Sequence, residues 1–561
     1  TAAAGETEFL VFLSEQADLS EAAALNDKDA KGWYVYLTLS ELAERTQAPV
    51  LEELTSLGVE HRSYWVANMI WVRGGMSVVE RMASRADVAR VAANPTVKMD
   101  LPVPQMSEPS VPFPNVETNI EVTGAPDIFW NAGVFGQGVV VAGADTGYDW
   151  DHPALIKSYR GSAMSGPADH NYNWHDSIHS GGGVCGANSP VPCDDNGHGT
   201  HTMGTVAGYD GGSNWIGMAP AARWIGCRNM DQGNGTPTTY TECFEWFIAP
   251  TDLNGENPDP TMAPHVINNS WICPVSEGCT TPEILQTVVE NTRAAGIMVV
   301  ASAGNAGPGC STVNAPPPIY DASFSVGATN NFDNIASFSS RGPVTVDGSN
   351  RLKPDISAPG VSVRSSVPGT GYASLSGTSM AGPHVAGMTG LLISAAHCMA
   401  GEVDDLEQHM IDSALGQTTT QNCGGSGQNI PNNTYGWGVL RSQLPSVSCP
   451  PKLTLSSGPW VKGTMVDLTV TNAPPNKLVF FAGTLKGPGI GLCPPIMGGL
   501  CTDLREPIKV MGKKKADAGG TAVLSFEVPG QVVENIYMQA YVGEGTSSMS
   551  SNLVVTEVVD P

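Results

Sequence analysis

Four short segments carry residue types that do chemistry when brought together. In Val139-Val140-Val141-Ala142-Gly143-Ala144-Asp145-Thr146-Gly147 an apolar run delivers the carboxylate of Asp145 at its C-terminal end. Asn196-Gly197-His198-Gly199-Thr200-His201 sets the imidazole of His198 among glycines at an expected helix start. Val299-Val300-Ala301-Ser302-Ala303-Gly304-Asn305 places a side-chain amide after a second apolar run, and Gly377-Thr378-Ser379-Met380-Ala381-Gly382-Pro383-His384 places a hydroxyl just ahead of a helical pattern. A serine hydroxyl is a poor nucleophile at neutral pH and needs a base within hydrogen-bond reach. An imidazole oriented by a carboxylate is such a base.

These groups need a scaffold that gathers strand ends. Between about Val116 and Leu444 buried-strand runs (139–142, 224–227, 266–267, 297–301, 324–326) alternate with helical patterns, which predicts an α/β domain built on a parallel sheet. Open sheets of this kind place their sites at the C-terminal ends of the strands. Ahead of it, residues 1–101 read as strand, helix, strands, helix, strand, a small α+β unit, and a Pro-rich, aperiodic linker follows over 102–115. After Cys449, short alternating stretches with Gly/Pro turns predict an antiparallel β-sandwich to residue 561.

The order Asp, His, Ser, with Asn before the Ser, resembles the subtilisin-like serine proteases (subtilases). The runs Asn268-Asn269-Ser270-Trp271 and Lys353-Pro354-Asp355-Ile356-Ser357-Ala358-Pro359-Gly360-Val361 are most similar to the bacillopeptidase F-like branch. The resemblance covers about Val116 to Leu444. It implies Asp145, His198 and Ser379 as the catalytic triad, and an oxyanion hole made by the Asn305 amide and the Ser379 N–H. It also implies substrate binding by Ser270 and Trp271 on one side and Ser302, Ala303 and Gly304 on the other, with a pocket floor near Ala315. No Asp or Glu stands at these wall positions, so an apolar or aromatic side chain is expected before the cleaved bond.

The same resemblance makes the N-terminal unit a propeptide that assists folding and then inhibits, with cleavage expected between Lys98 and Asn115. The function implied is a secreted, autoprocessing serine endopeptidase, a monomer acting on protein or peptide substrates, with its own propeptide as inhibitor. A peptide ligase or macrocyclase on this fold uses the same triad. A peptide-binding pseudoprotease would tolerate loss of triad residues, and none is lost. The chemistry needs no cofactor. Structural Ca2+ is a family trait that the acidic middle segment could accommodate, although Ala154 stands where one familiar site carries an Asp.

Other candidates compete with plainer readings. His201 with His198, Asp194 and Asp195 has metal-ligand spacing, but the family resemblance makes His201 structural, and His384 reads as a packed core residue. His175 and His179 would share a face with Asp176 only in a helix; Gly181-Gly182-Gly183 favours a loop.

Composition sets the limits. With 28 Lys+Arg against 54 Asp+Glu the net charge is −26, and 19 of those negative charges fall between residues 114 and 449. Clustered basic residues for nucleic acid are missing, and no apolar run approaches the ~18 residues of a membrane span. None of the 12 cysteines precedes Cys185. The close pairs Cys185/Cys193, Cys273/Cys279 and Cys493/Cys501 suggest disulfides and an oxidising compartment, and no Cys-x-x-Cys zinc knuckle is present. Thr1-Ala2-Ala3-Ala4-Gly5 lacks the basic and apolar regions of a signal peptide.

Overall fold

The computed structural model describes residues 5–25, 27–98, 105–106, 116–163, 166–275, 278–447, 449, 453–486, 504, 508–528, 535–543, 549–556 and 558–559. Its contacts divide the chain into two units, Thr1–Ala17 with Leu39–Ser446, and Asp18–Thr38 with Val447–Pro561.

The N-terminal elements follow the expected order: β1 (Thr7–Leu13), α1 (Lys28–Ser56), β2 (Glu60–Tyr64), β3 (Met69–Gly74), α2 (Met76–Ala83) and β4 (Val88–Ala93). The strands form one antiparallel sheet, β2-β3-β1-β4. Alternation along β1 and β3 turns Phe9, Val11, Ile70 and Val72 onto Val50 and Leu54 of α1 and Met82 of α2, a small apolar core. Two two-residue strands follow, β5 (Val97–Lys98) and β6 (Gln105–Met106). The remaining positions of the expected linker, and of the expected cleavage range, lie outside the described residues.

The large unit continues with two one-turn helices, α3 (Thr118–Glu121) and α4 (Ala125–Ile128), then β7 (Val140–Asp145), β8 (Trp174–Asp176), α5 (His198–Ala207), β9 (Arg223–Arg228), β10 (Met230–Asp231) and β11 (Asn234–Gly235). Next come α6 (Pro237–Ile248), β12 (Val266–Asn269), α7 (Gln286–Ala294), β13 (Met298–Ser302), β14 (Phe324–Thr329) and β15 (Ile356–Pro359), and finally β16 (Val363–Val367), β17 (Gly371–Leu375), α8 (Thr378–Ala395) and α9 (Val403–Ser413). Seven strands form a parallel sheet in the order β15-β14-β13-β12-β7-β9-β8. All five expected runs are in it, as β7, β9, β12, β13 and β14. Every residue of β12, β13, β14 and β15 is buried, as a sheet covered on both faces requires. The chain leaves β7 toward β9 and β8 on one side and later returns as β12 on the other. The reversal of strand order, where open α/β sheets leave a crevice, therefore falls at β7.

Trp174–Asp176 is an edge strand and not part of a helix, so His175 and His179 share no helix face. Disulfides join Cys185–Cys193 and Cys273–Cys279, as their spacing suggests, and also Cys227–Cys243 and Cys310–Cys423. Cys398 and Cys449 are disulfide-bonded as well, and Cys493 and Cys501 lie outside the described residues.

In the second unit, antiparallel strands Thr454–Ser457, Met465–Thr471 and Ala522–Glu527 form one sheet, and Lys509–Lys515, Leu478–Thr484 and Ile536–Val542 form the body of another. Leu468, Val470, Val479, Phe481, Leu524 and Met538 from the two sheets share one core with Trp460. This is the expected sandwich.

Candidate active site

Asp145 ends β7 at the strand-order reversal. Its carboxylate is fully buried and takes three donors: His198 Nδ1 at 2.7 Å, the Thr146 N–H at 2.8 Å and Thr202 Oγ1 at 3.3 Å. His198 opens α5. Asp194 accepts from the N–H groups of Asn196, Gly197 and Thr200 and from Thr200 Oγ1, binding the donors that a helix start leaves unsatisfied. Thr146 Oγ1 donates to Asp194 and accepts from the Gly199 N–H, so strand end and helix start are joined directly beside the Asp145–His198 pair. Glycine is required there. A Cβ on Gly199 would stand 2.1 Å from the Gly147 carbonyl oxygen, and one on Gly147, at φ +107°, would stand 1.8 Å from the Cys193 oxygen.

Ser379 sits in the first turn of α8, a helix whose first sixteen residues are all buried. Its hydroxyl donates to the Ser270 carbonyl at 3.1 Å, while the buried His198 Nε2 has no hydrogen-bond partner. The structure thus brings Asp145 and His198 into contact and leaves the expected serine–histidine bond unmade. Ser270 in turn donates from Oγ to the Ser379 carbonyl at 3.0 Å, and Ser302 Oγ to the Thr378 carbonyl at 3.0 Å. The ends of β12 and β13 are therefore pinned to the start of α8.

Asn305 follows β13 and is exposed. Its Oδ1 accepts from both the N–H and Oγ1 of Thr378 at 2.9 Å, which anchors the amide to the start of α8. A cavity of about 360 Å3 opens beside these groups, lined by Ser270, Trp271, Ser302, Gly304, Asn305, Thr378 and Ser379 with Ile272, Pro274, Val275, Ala306 and Asn314. Four of the five expected substrate-binding residues line it. Ala303 does not; it is buried, with its N–H on the Val326 carbonyl. Ala315 is buried too, and its neighbour Asn314 faces the cavity. Trp271 is held by stacking on Tyr240, with ring centroids 3.7 Å apart. Among the described lining residues none is acidic.

Lys98 of the N-terminal region lines the same cavity, and β5 pairs antiparallel with β11, Val97 opposite Gly235 and Lys98 opposite Asn234. The sheet behind β5 rests on α6. Thr236 and Thr239 form a capping box at the start of α6, with Pro237 in its first turn. Two carboxylates on α6 then meet the sheet. Glu242 accepts from Tyr64 at 2.8 Å, Arg62 at 3.3 Å, His175 at 2.9 Å and His179 at 2.8 Å. Burial pushes the Glu242 carboxyl up, but the bonds from His175 and His179 outweigh it and hold the group far below the usual carboxylate range. Glu245 accepts from the Val66 N–H at 2.9 Å, and burial, with the nearby Glu242 charge, pushes it up to about 8. His179 is raised, because the bond to Glu242 overcomes its desolvation.

The remaining candidates have other partners. His201 faces the Val363 and Ala373 carbonyls, and burial pulls it down to about 3. His384 lies between the Met380 carbonyl and Asn119, and burial pulls it down to about 4. Among the described residues no group of three or more His, Cys, Asp or Glu is arranged to hold a metal ion, so no residues are assigned to Ca2+. No described helix is long and apolar enough to cross a membrane. Glu242 and Thr378 carry parts of this arrangement that local spacing does not display; only Thr378, next to Ser379, stood inside a recognisable segment.

The profile of the subtilase family matches residues 136–438. Bacillopeptidase F of Bacillus subtilis (strain 168) is 34% identical over 474 residues, 78% of this chain and 31% of its own length. M-protease of Shouchella clausii (strain KSM-K16) is 32% identical over 365 residues, 64% of this chain and 77% of its own. Subtilisin Savinase of Lederbergia lenta is 34% identical over 264 residues, 47% and 78%. The chain thus spans about a third of the length of Bacillopeptidase F.

Proposed function

The chain belongs to the subtilase family, and from that premise we propose that it is a secreted serine endopeptidase, made as an autoprocessing zymogen, that cuts protein chains through an acyl-enzyme on Ser379. The observation that carries this reading is the buried 2.7 Å bond between Asp145 and His198, which leaves His198 Nε2 without a partner and so open to a hydroxyl such as that of Ser379.

In the reaction, Ser379 Oγ turns from the Ser270 carbonyl toward His198 Nε2, gives up its proton and forms a bond to the substrate carbonyl carbon. Asp145 holds the imidazole in the tautomer that exposes a basic Nε2 and stabilises the imidazolium. The carbonyl oxygen becomes an oxyanion and receives hydrogen bonds from Asn305 Nδ2 and the Ser379 N–H. His198 then gives its proton to the leaving amine as the C–N bond breaks. Water, deprotonated by the same imidazole, releases the acid and restores Ser379. The cavity wall of Trp271, Ile272, Pro274 and Val275 supports an apolar or aromatic residue before the cleaved bond.

Residues 1–101 act as the inhibitor. Their sheet covers α6, and β5 lies along β11 as an extended chain would, ending at Lys98 beside the cavity. Cleavage follows within 98–115. A serine-directed phosphonate applied to the processed protein, with Ser379→Ala as control, tests the reading. One equivalent of label on the wild type and none on the variant is expected; an unlabelled wild type overturns it. A peptide library cut mainly after Arg or Lys would overturn the apolar preference.

A further inference from the structure

Arg228 ends β9, opposite Asp145 of β7 in the parallel register, and the next residue, Asn229, donates its N–H to the Asp145 carbonyl at 2.9 Å. The Arg228 side chain is completely buried, and it meets three carboxylates: Asp195, Asp176 at 3.4 Å and Asp231 at 3.4 Å. It also donates to the Gly186 carbonyl at 2.9 Å, in the loop that the Cys185–Cys193 disulfide closes, and to the Gly182 carbonyl at 3.0 Å just ahead of that loop. A guanidinium at zero exposure is costly to desolvate, and its planar fork suits an arrangement in which several acceptors must keep fixed mutual positions.

Those acceptors belong to segments with different tasks. Asp195 lies three residues before His198 and also accepts the Gln232 N–H at 2.9 Å. Asp231 ends β10 and accepts the Gly182 N–H at 3.1 Å. Residues 231–234 form the turn into β11, the two-residue edge along which Val97–Lys98 lies in extended form. β10 and β11 pair through only two residue pairs, and these ties add to that pairing and to the capping of α6 that follows it.

We propose that Arg228 is a positioning residue for substrate, fixing the 231–234 turn against the segment leading to His198 so that residues N-terminal to the cleaved bond register on β11. This rests on the protease reading above and adds to it a residue that touches neither the substrate nor the reacting atoms. Binding on β11 contributes only for substrates long enough to reach it. The side chains of Asp145 and His198 keep their own partners, since Thr146 and Thr202 bind the carboxylate and Asp194 caps the start of α5.

The test uses the full chain after processing and two substrates: a single-residue ester that reaches only the cavity beside Ser379, and a peptide with four or more residues before the cleaved bond. For Asp231→Ala, whose side chain is partly exposed and whose loss leaves Arg228 facing Asp176 and Asp195, KM for the long peptide is expected to rise about tenfold, with ester kcat/KM and phosphonate labelling within twofold of wild type. Arg228→Lys, which keeps the charge and loses the fork, should show the same split more strongly. The cleaved propeptide should also dissociate faster from both variants. Equal losses on both substrates, or no change on either, overturn the proposal and leave the protease reading standing. A wild type that takes no phosphonate label removes both.

Discussion

Replacing Asn305 by Ala removes one of two expected donors to the oxyanion and leaves the Ser379 N–H in place. Loss of such a donor costs about 3 kcal/mol in the transition state, roughly 10²–10³ in turnover, a magnitude measured on subtilisin itself and so borrowed from within the family. Thr378 lets this be dissected. Its N–H and Oγ1 each donate to Asn305 Oδ1 at 2.9 Å, and only the hydroxyl is lost in Thr378→Val. One neutral hydrogen bond of the two is worth about 1 kcal/mol, so Thr378→Val should lower kcat roughly fivefold by loosening the amide. If Thr378 acts only through Asn305, Thr378→Val in the Asn305→Ala background should have no further effect, a coupling of about 1 kcal/mol. The assay is kcat and KM on one peptide substrate for the four members of the cycle, with enzyme concentration set by active-site titration. Unchanged kcat in Asn305→Ala, or a loss confined to KM, would refute the placement of Nδ2 in the reaction. Full additivity would refute the orienting role of Thr378.

Three further outcomes are expected. Glu245 has a pKa of about 8 when the N-terminal sheet covers it, against an ordinary 4.5. Its contribution to docking is complete below 4.5 and is lost as pH rises through 8, so the cleaved propeptide should bind about tenfold more weakly at pH 9 than at pH 7; titration calorimetry should show this, and Glu245→Gln should flatten it. Glu242→Gln leaves Arg62, His175 and His179 without their carboxylate and should weaken propeptide binding by about 10²-fold or more, and unchanged inhibition constants would exclude that cluster from docking. Gly199→Ala drives a methyl into the Gly147 carbonyl oxygen and should slow phosphonate labelling at least about a hundredfold by parting Asp145 from His198, whereas full activity would contradict the close approach of strand end and helix start.

Legibility in the sequence tracks how local each feature is. Asp145, Asn305 and Ser379 each stand within a few residues of the element that positions them, so a strand run or a helix start points to them directly. Five of the seven sheet strands were readable for the same reason, because each contains a short apolar run. Cys185/Cys193 and Cys273/Cys279 are pairs that spacing suggests, while Cys227–Cys243 requires β9 to be docked on α6 and Cys310–Cys423 joins residues 113 positions apart. Glu242 draws partners from positions 62, 64, 175 and 179, and no local pattern links those numbers. Arg228 looks like the end of a strand in the sequence; its three carboxylates come from the end of β8, the segment before α5 and the end of β10. In the edge strand Lys509–Lys515 the lysines mask the alternation that marks a strand in sequence.

The pairing of Val97–Lys98 with β11 concerns dilution as much as shape. While the bonds between Lys98 and Val116 are intact, the extended segment is tethered to the edge it occupies, at an effective concentration of millimolar order that free substrate in ordinary amounts does not match. Once cut, the same segment competes as a separate molecule, and its hold depends on how much of it remains nearby. The uncut chain should therefore be inactive at any protein concentration, whereas a freshly cut preparation should gain activity on dilution, with a lag set by dissociation.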